Sequence, residues 1–242
     1  YLALNAMCSL PALDVQFGPM LWGHLDPGKK LTYFVGVWNG NASAGAGVVS
    51  GQRGNARDNN GDKEVQARLN FQATKELVVG AAFDASNEEP QTLTLASYSG
   101  GRFLALPVAG QRRGWNADAH WKRGRLSLET EWLTFDFDDD QSPGLGLDGG
   151  YAQITWWARG SEDGGVQAVL RAESAALDGT PLQAVDGDTV QAVTLGANLW
   201  WGGHTRWQIN AIGEHYDGRG NGSFRTGSGW RPTLLSQLQV KF

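Results

Sequence analysis

Ionisable side chains recur at every second position in several segments of this chain, a spacing that places them on one face of a β-strand. Basic side chains in such a row could attract anions, since fixed cations along a water-filled passage lower the barrier for anion entry. The candidates are Arg68, Lys122, Arg171 and Arg206. Acidic or histidine neighbours on the same faces are Asp118, His120, Glu129 and Glu131. This near balance of signs predicts a transverse field and weak selectivity; alternatively, any one of these groups only joins a salt-bridge lattice that stiffens a wall.

Catalytic chemistry is not indicated by the same residues. His120 beside Asp118, or His215 beside Glu214, could act as a base, but no serine or second histidine lies at a spacing that completes a nucleophilic site. The run Asp136–Asp140 lacks the turn glycine and the twelfth-position acid of a calcium loop. The sequence therefore predicts no enzyme, no metal site and no cofactor.

The elements that carry these residues are alternating apolar and polar segments of about ten residues, the length of a tilted strand that crosses a bilayer. The last one, Leu234–Phe242, ends on an aromatic residue and has Leu234, Leu238 and Val240 on one face. The others are predicted at Asp14–Leu25, Lys30–Asn39, Glu64–Gln72, Leu77–Asp84, Arg113–Lys122, Arg125–Phe135, Tyr151–Ala158, Val166–Glu173, Val193–Trp201 and Thr205–Tyr216.

The connections between these segments alternate in length. Short turns are predicted around residues 26–29, 73–76, 123–124, 159–165 and 202–204, and long glycine-rich loops at 40–63, 85–112, 136–150, 174–192 and 217–233. Outer-membrane barrels sort their connections in this way, whereas soluble β-sandwiches have no reason to do so. The pattern predicts an all-β fold, an antiparallel transmembrane β-barrel that forms one domain over residues 1–242, with about twelve strands if residues 1–7 supply one more.

Tryptophans form two groups that match this loop pattern. A barrel in lipid places aromatic rings at both headgroup levels. The rings predicted beside short turns are Trp22, Trp121, Trp156, Trp201 and Trp207, and those beside long loops are Trp38, Trp115, Trp132 and Trp230. Two girdles are thus predicted.

Composition excludes other classes. A mean hydropathy of −0.35 leaves no apolar run that could form a membrane helix. The net charge of −5 provides no basic stripe for nucleic acid. The lone Cys8 excludes an intramolecular disulfide.

The longest predicted loop is the best candidate for a constriction. Its apolar run Phe103–Val108 would be poorly solvated in water and could fold into the barrel. Arg102, Arg112 and Arg113 lie in or beside this segment, 87–111, and are the candidate constriction residues.

Several motifs together resemble the phosphate-selective porin O and P family. They are Tyr33–Gly40, Asp58–Leu69, Gly149–Gln153, Val193–Asn198 and Gln237–Phe242, in that order along the chain. The resemblance implies a channel of the bacterial outer membrane, a homotrimer of sixteen-stranded barrels that admits anions and small hydrophilic solutes. It also implies that strands and an inward-folded loop precede this chain, which begins at Tyr1 without methionine. Because that loop supplies much of the family's arginine constriction, phosphate selectivity does not carry over directly.

These observations together predict an outer-membrane porin for passive diffusion, with a lean towards anions. Its partners would be outer-membrane lipid and the diffusing solutes, with no nucleic acid. Two alternatives stay open: a structural barrel subunit of a larger envelope assembly, and a soluble β-sheet module that binds carbohydrate through exposed tryptophans.

Overall fold

The chain folds as an all-β protein in a computed structural model, which describes residues 18–38, 63–96, 98, 102–138, 144–161, 163–179, 188–218 and 229–240. Eleven strands form within these ranges. They are β1 (Met20–His24), β2 (Leu31–Trp38), β3 (Glu64–Gln72), β4 (Leu77–Ala96), β5 (Arg102–Arg123), β6 (Leu126–Asp138), β7 (Leu145–Ser161), β8 (Gly164–Asp178), β9 (Asp188–Trp201), β10 (Thr205–Asp217) and β11 (Arg231–Val240). The all-β prediction is confirmed. The predicted extra strand at residues 1–7 and the terminal Phe242 lie outside the described residues.

All described strands belong to one sheet in which each strand pairs antiparallel with its neighbours in sequence. The order runs from β1 to β11 without a crossover. Such a meander is the topology of up-and-down barrels, which are built entirely from hairpins. Within the described part of the chain, β1 and β11 form the two edges of the sheet and run in the same direction.

The two faces of the sheet differ in chemistry. The face that we call outer exposes large apolar side chains along its whole width, and these alternate with polar residues of the opposite, inner face. Leu195, Leu234 and Leu238 are 65%, 73% and 64% exposed. A surface of this extent is too apolar for a protein in water and fits contact with lipid. Further members are Leu21, Val35, Leu69, Trp115, Trp132, Trp156, Leu170, Trp201 and Trp207.

The register tests the predicted girdles. Most of the predicted tryptophans share the outer face, but Trp22 pairs with Phe34, and Trp38 pairs with Glu64, on the inner face. The girdle prediction is therefore wrong for these two residues. Sequence alternation near a strand end does not identify the face, since a shift of one residue reverses it.

Six strands, β4 to β9, extend beyond their predicted bounds. The expected loop 85–112 is mostly a hairpin, because β4 continues to Ala96 and β5 begins at Arg102. The expected loops 136–150 and 174–192 are likewise shortened by β6, β7, β8 and β9. The first part of the added segment of β4, 85–91, lacks the alternation of apolar and polar residues on which the prediction depended. No helix in the described ranges is long and apolar enough to cross a membrane.

The inner face has two zones along the strand direction. Towards the ends joined by the longer connections it is closed and mainly apolar, although the charged Arg112, Glu64 and Glu214 are also buried there. The apolar residues Phe137, Leu145, Leu147, Leu177, Val190 and Tyr216 are each at most 2% exposed. Towards the short turns it carries polar and charged side chains around a cavity. The sequence predicts ionisable side chains on the inner face, which the structure shows, but it does not predict the closed apolar zone.

Candidate functional site

The connection between β4 and β5 reaches across the inner face. Tyr98 follows the end of β4, yet its backbone N–H donates to Glu214 Oε1 on β10 at 2.7 Å. Its hydroxyl donates a short hydrogen bond to Glu173 on β8. In the sheet, β8 and β10 lie several strands away from β4 and β5. Tyr98, the described residue of this connection, therefore lies over the inner face of distant strands.

Tyr98 docks onto a buried ionic cluster. Arg171 Nε donates to Glu173 Oε2 at 2.9 Å, and the Arg171 guanidinium stacks 3.8 Å from the centroid of the Tyr151 ring. Glu173 and Glu214 are almost fully buried, which requires partners for their charge. Burial, and then the negative charge of Glu173, raises the pKa of the Tyr98 phenol well above its usual range. The phenol consequently keeps its proton and acts as a donor.

A second buried ionic cluster lies at the base of the hairpin. Arg112 of β5 contacts Asp84 Oδ1 of β4 at 2.8 Å and Glu64 Oε2 of β3 at 3.3 Å. Its guanidinium also lies 5.8 Å from the centroid of the Phe135 ring. Both Arg112 and Glu64 side chains are fully buried. The cluster joins three strands at the level where β4 and β5 begin to extend beyond β3 and β6.

A cavity of about 860 Å³ occupies the inner face between the hairpin tip and the short turns. Four basic side chains and one carboxylate, that of Glu129, are among its described lining residues. The basic residues are Lys122, Arg125, Arg171 and Arg206. Arg171 is paired with the buried Glu173, so the excess of positive charge comes from Lys122, Arg125 and Arg206 against Glu129, in contrast to the near balance expected from the sequence.

Five of the predicted pore-lining residues line this cavity: Lys122, Arg171, Arg206, Glu129 and His120. His120 Nε2 lies 3.7 Å from Glu129 Oε1. Arg206 Nε donates to Gln239 at 3.1 Å, and its guanidinium lies 5.0 Å from the Trp200 ring centroid. They come from β5, β6, β8 and β10, whose inner faces converge here.

The other three lie on the same face outside the cavity. Arg68 Nη2 contacts Asp118 Oδ2 at 2.7 Å across β4, and Asn116 donates to Glu131. Gly80 lies between Arg68 and Asp118, where a Cβ atom would come within 2.5 Å of the guanidinium. Arg68 therefore balances the charge of Asp118, while Glu131 lies outside the cavity lining and keeps its negative charge.

The residues predicted to form a constriction do not lie together. Arg112 lies on the inner face in the buried cluster, whereas the next residue, Arg113, is exposed on the outer face and contacts Gln111. The alternation of a strand makes this separation unavoidable. Arg102 begins β5, and its side chain lies outside what the structure describes. The proposed inward segment is therefore a hairpin, with Tyr98 as its described inner contact.

Sequence reasoning missed Tyr98, Glu214 and Arg125 as members of this region. Arg125 was predicted as the first residue of a strand, whereas the structure places it in the short turn between β5 and β6. The contacts of Tyr98 with Glu173 and Glu214 join distant parts of the chain, so no local pattern could have revealed them.

A one-sheet meander with an apolar outer face, a charged inner face and an inward hairpin defines the class of barrel-forming outer-membrane channels. Comparison with known families agrees: the family model "Phosphate-selective porin O and P" matches residues 84–227. The match spans more than half of the chain, which therefore belongs to the phosphate-selective porin O and P family. Members of this family are channels of the bacterial outer membrane, and the chain is an outer-membrane porin. No curated protein matches the chain.

The matched span includes the motifs Gly149–Gln153 and Val193–Asn198. It also includes most of the inward hairpin and the residues of the cavity from Lys122 to Arg206. The other motifs, Tyr33–Gly40, Asp58–Leu69 and Gln237–Phe242, lie outside it.

Proposed function

We propose that this porin allows passive diffusion of small hydrophilic solutes, with a preference for anions such as phosphate. The observation that carries the proposal is the excess of basic over acidic side chains around the inner cavity. Fixed positive charges in a confined passage concentrate anions and repel cations. The roles of Lys122, Arg171 and Arg206 in this proposal are electrostatic, and no bond is made or broken.

The inward hairpin supports a size limit. Tyr98 lies at the cavity and is tethered to both Glu173 and Glu214, so solutes pass beside a fixed obstacle. The apolar side chains above the cavity exclude water from much of that half of the inner face. We infer that the route beyond the cavity is narrow, because the adjoining inner face is closed by buried side chains, and a narrow route slows large solutes more than small hydrated anions.

The surroundings of the channel form part of the proposal. The whole of residues 1–242 would act as one transmembrane β-barrel domain, with the outer face in contact with outer-membrane lipid. Association as a homotrimer is proposed from the family resemblance, and it can be tested by the mass of the native protein in detergent. The exposed apolar outer face disfavours the alternative of a soluble carbohydrate-binding module.

Swelling of protein-containing liposomes tests diffusion directly. Vesicles that hold the protein and an impermeant polymer should swell in isosmotic potassium phosphate with valinomycin present, and more slowly in isosmotic salts of larger anions. Empty vesicles are the control. Absence of swelling with protein shown to be folded by gel mobility would contradict the proposal.

A further inference from the structure

Carboxamide side chains form a continuous row across the wall of the cavity. Asn198 of β9 donates to Gln167 of β8 at 2.9 Å, and Gln208 of β10 donates to Asn198 at 3.0 Å. The three residues occupy paired register positions on adjacent strands and all line the cavity. Each amide has two donor hydrogens and two acceptor sites, so one or two bonds within the row leave further capacity. A row of mixed donors and acceptors matches hydroxyl groups, which also donate and accept.

An aromatic surface adjoins this row. Trp157 and Trp200 both line the cavity, and their ring centroids are 6.2 Å apart. Arg206 lies beside Trp200, with its guanidinium 5.0 Å from the ring centroid. Indole rings provide a flat apolar area of low conformational entropy, against which the C–H face of a small molecule can pack. One wall of the cavity thus combines the Arg206 cation, the indole rings of Trp157 and Trp200, and the row of carboxamide side chains.

The size of the cavity argues against inorganic phosphate as its best occupant. At about 860 Å³ it falls in the range of roughly 300–1,000 Å³ of sites that enclose drug-sized organic ligands. A single oxyanion could contact Arg206, but it would leave the amide row and the indole rings facing water. A larger solute with an anionic end and several hydroxyl groups would use all three.

We propose that the cavity is a binding site for polyhydroxylated organic anions, meaning sugars that carry a carboxylate or a phosphate. The anionic group lies at Arg206, the carbon chain or ring packs on Trp200, and the hydroxyls bond to Gln167, Asn198 and Gln208. This inference rests on the proposed channel function and names its solute class.

Block of the chloride current through the protein in a planar bilayer tests the site, with gluconate as the probe. Glucose has a similar body without the charge, acetate has the charge without the body, and inorganic phosphate is the small oxyanion. Gluconate can make the charge contact and the hydrogen bonds to the carboxamide side chains at the same time. It should therefore block the chloride current at a concentration about tenfold lower than acetate or glucose does. Equal block by phosphate and gluconate would overturn the inference in favour of a simple oxyanion site.

Adjacent tryptophans supply a matched pair of variants. Trp200→Leu removes the platform inside the cavity, whereas Trp201→Leu changes the next residue, which is 49% exposed on the outer face. Gluconate block should weaken about tenfold in the first and persist in the second. Chloride current without preferential gluconate block would refute the site but leave the channel function intact. No current from folded protein would instead refute the channel function, and the inference with it.

Discussion

Reversal of one charge inside the cavity gives the sharpest test of the electrostatic account. Lys122 lines the cavity on the inner face of β5, and Arg123 follows it on the outer face at the same turn. Both side chains are exposed to solvent. Lys122→Glu and Arg123→Glu therefore make the same change of two charge units at adjacent positions, with only the first inside the cavity.

The magnitude follows from Coulomb's law. At about 8 Å in water a unit charge interacts with a passing ion by about 0.5 kcal/mol, and the two-unit reversal changes this by about 1 kcal/mol. The reversal makes the interaction free energy less favourable for an anion and more favourable for a cation by the same amount. The free-energy difference that sets the ratio of their permeabilities therefore changes by about 2 kcal/mol before screening. One Debye length of about 8 Å at 0.15 M salt reduces this to about 0.7 kcal/mol, a factor of about three.

The assay is the reversal potential across a planar bilayer in a potassium chloride gradient. Lys122→Glu should lower the anion-to-cation permeability ratio about threefold at 0.15 M salt and more at 0.01 M, since screening weakens. Arg123→Glu should leave the ratio within error of the native protein, because its side chain faces away from the passage. Equal ratios in native protein and Lys122→Glu at low salt would refute the reasoning.

Three further predictions concern the inward hairpin and its base. Tyr98→Phe removes the hydroxyl that donates to Glu173, a charge-assisted hydrogen bond of about 1.5–3 kcal/mol. The single-channel conductance should therefore rise, or the channel should open more often. Unchanged conductance and opening frequency would show that Tyr98 does not restrict the passage. Because burial raises the pKa of Tyr98, docking of Tyr98 is fully favourable below the pKa of an exposed tyrosine, about 10, and weakens as the pH rises above that value. The conductance of the native protein should therefore be constant from about pH 6 to 9 and increase beyond about pH 10. The Tyr98→Phe variant should not show that increase. Arg112→Met leaves the carboxylates of the basal cluster buried without their cation and should destabilise the fold by about 3–5 kcal/mol, whereas Arg113→Met on the outer face should change stability by less than about 0.5 kcal/mol. Urea unfolding followed by gel mobility compares the two arginine variants, and equal midpoints would contradict the buried cluster.

The sequence was informative wherever one face of a strand meets lipid. Leu234, Leu238 and Val240 alternate with polar residues and predict β11, which the structure places at Arg231–Val240. The same alternation located all eleven described strands, because exposure to lipid on one side and water on the other imposes a period of two.

The sequence was less informative above the membrane and inside the barrel. Segments such as 85–91 lack the alternation, since both of their faces can be polar once a strand leaves the hydrocarbon. The closed apolar zone of Phe135, Phe137 and Leu147 was not predicted, although these residues lie at inner positions of β6 and β7. Their burial depends on what folds over them, which is a long-range property of the fold.

Five cavity residues were identified from charge alone, because their alternation fixed the inner face of their strands. The sign of the net charge of the cavity was not predicted, since it depends on which acidic side chains pair with cations elsewhere. Asp118 binds Arg68 across Gly80, a contact that requires the absence of a side chain on the intervening strand. Such cross-strand contacts depend on register, which the sequence does not specify.

The most direct test of an anion-preferring channel is single-channel current through the purified protein in a planar bilayer, first in a chloride gradient and then with phosphate on both sides. The account predicts stepwise conductance, a reversal potential of the sign set by anions, and reduction of the chloride current by phosphate. A reversal potential set by cations, or no steps from protein shown to be folded in the bilayer, would contradict it.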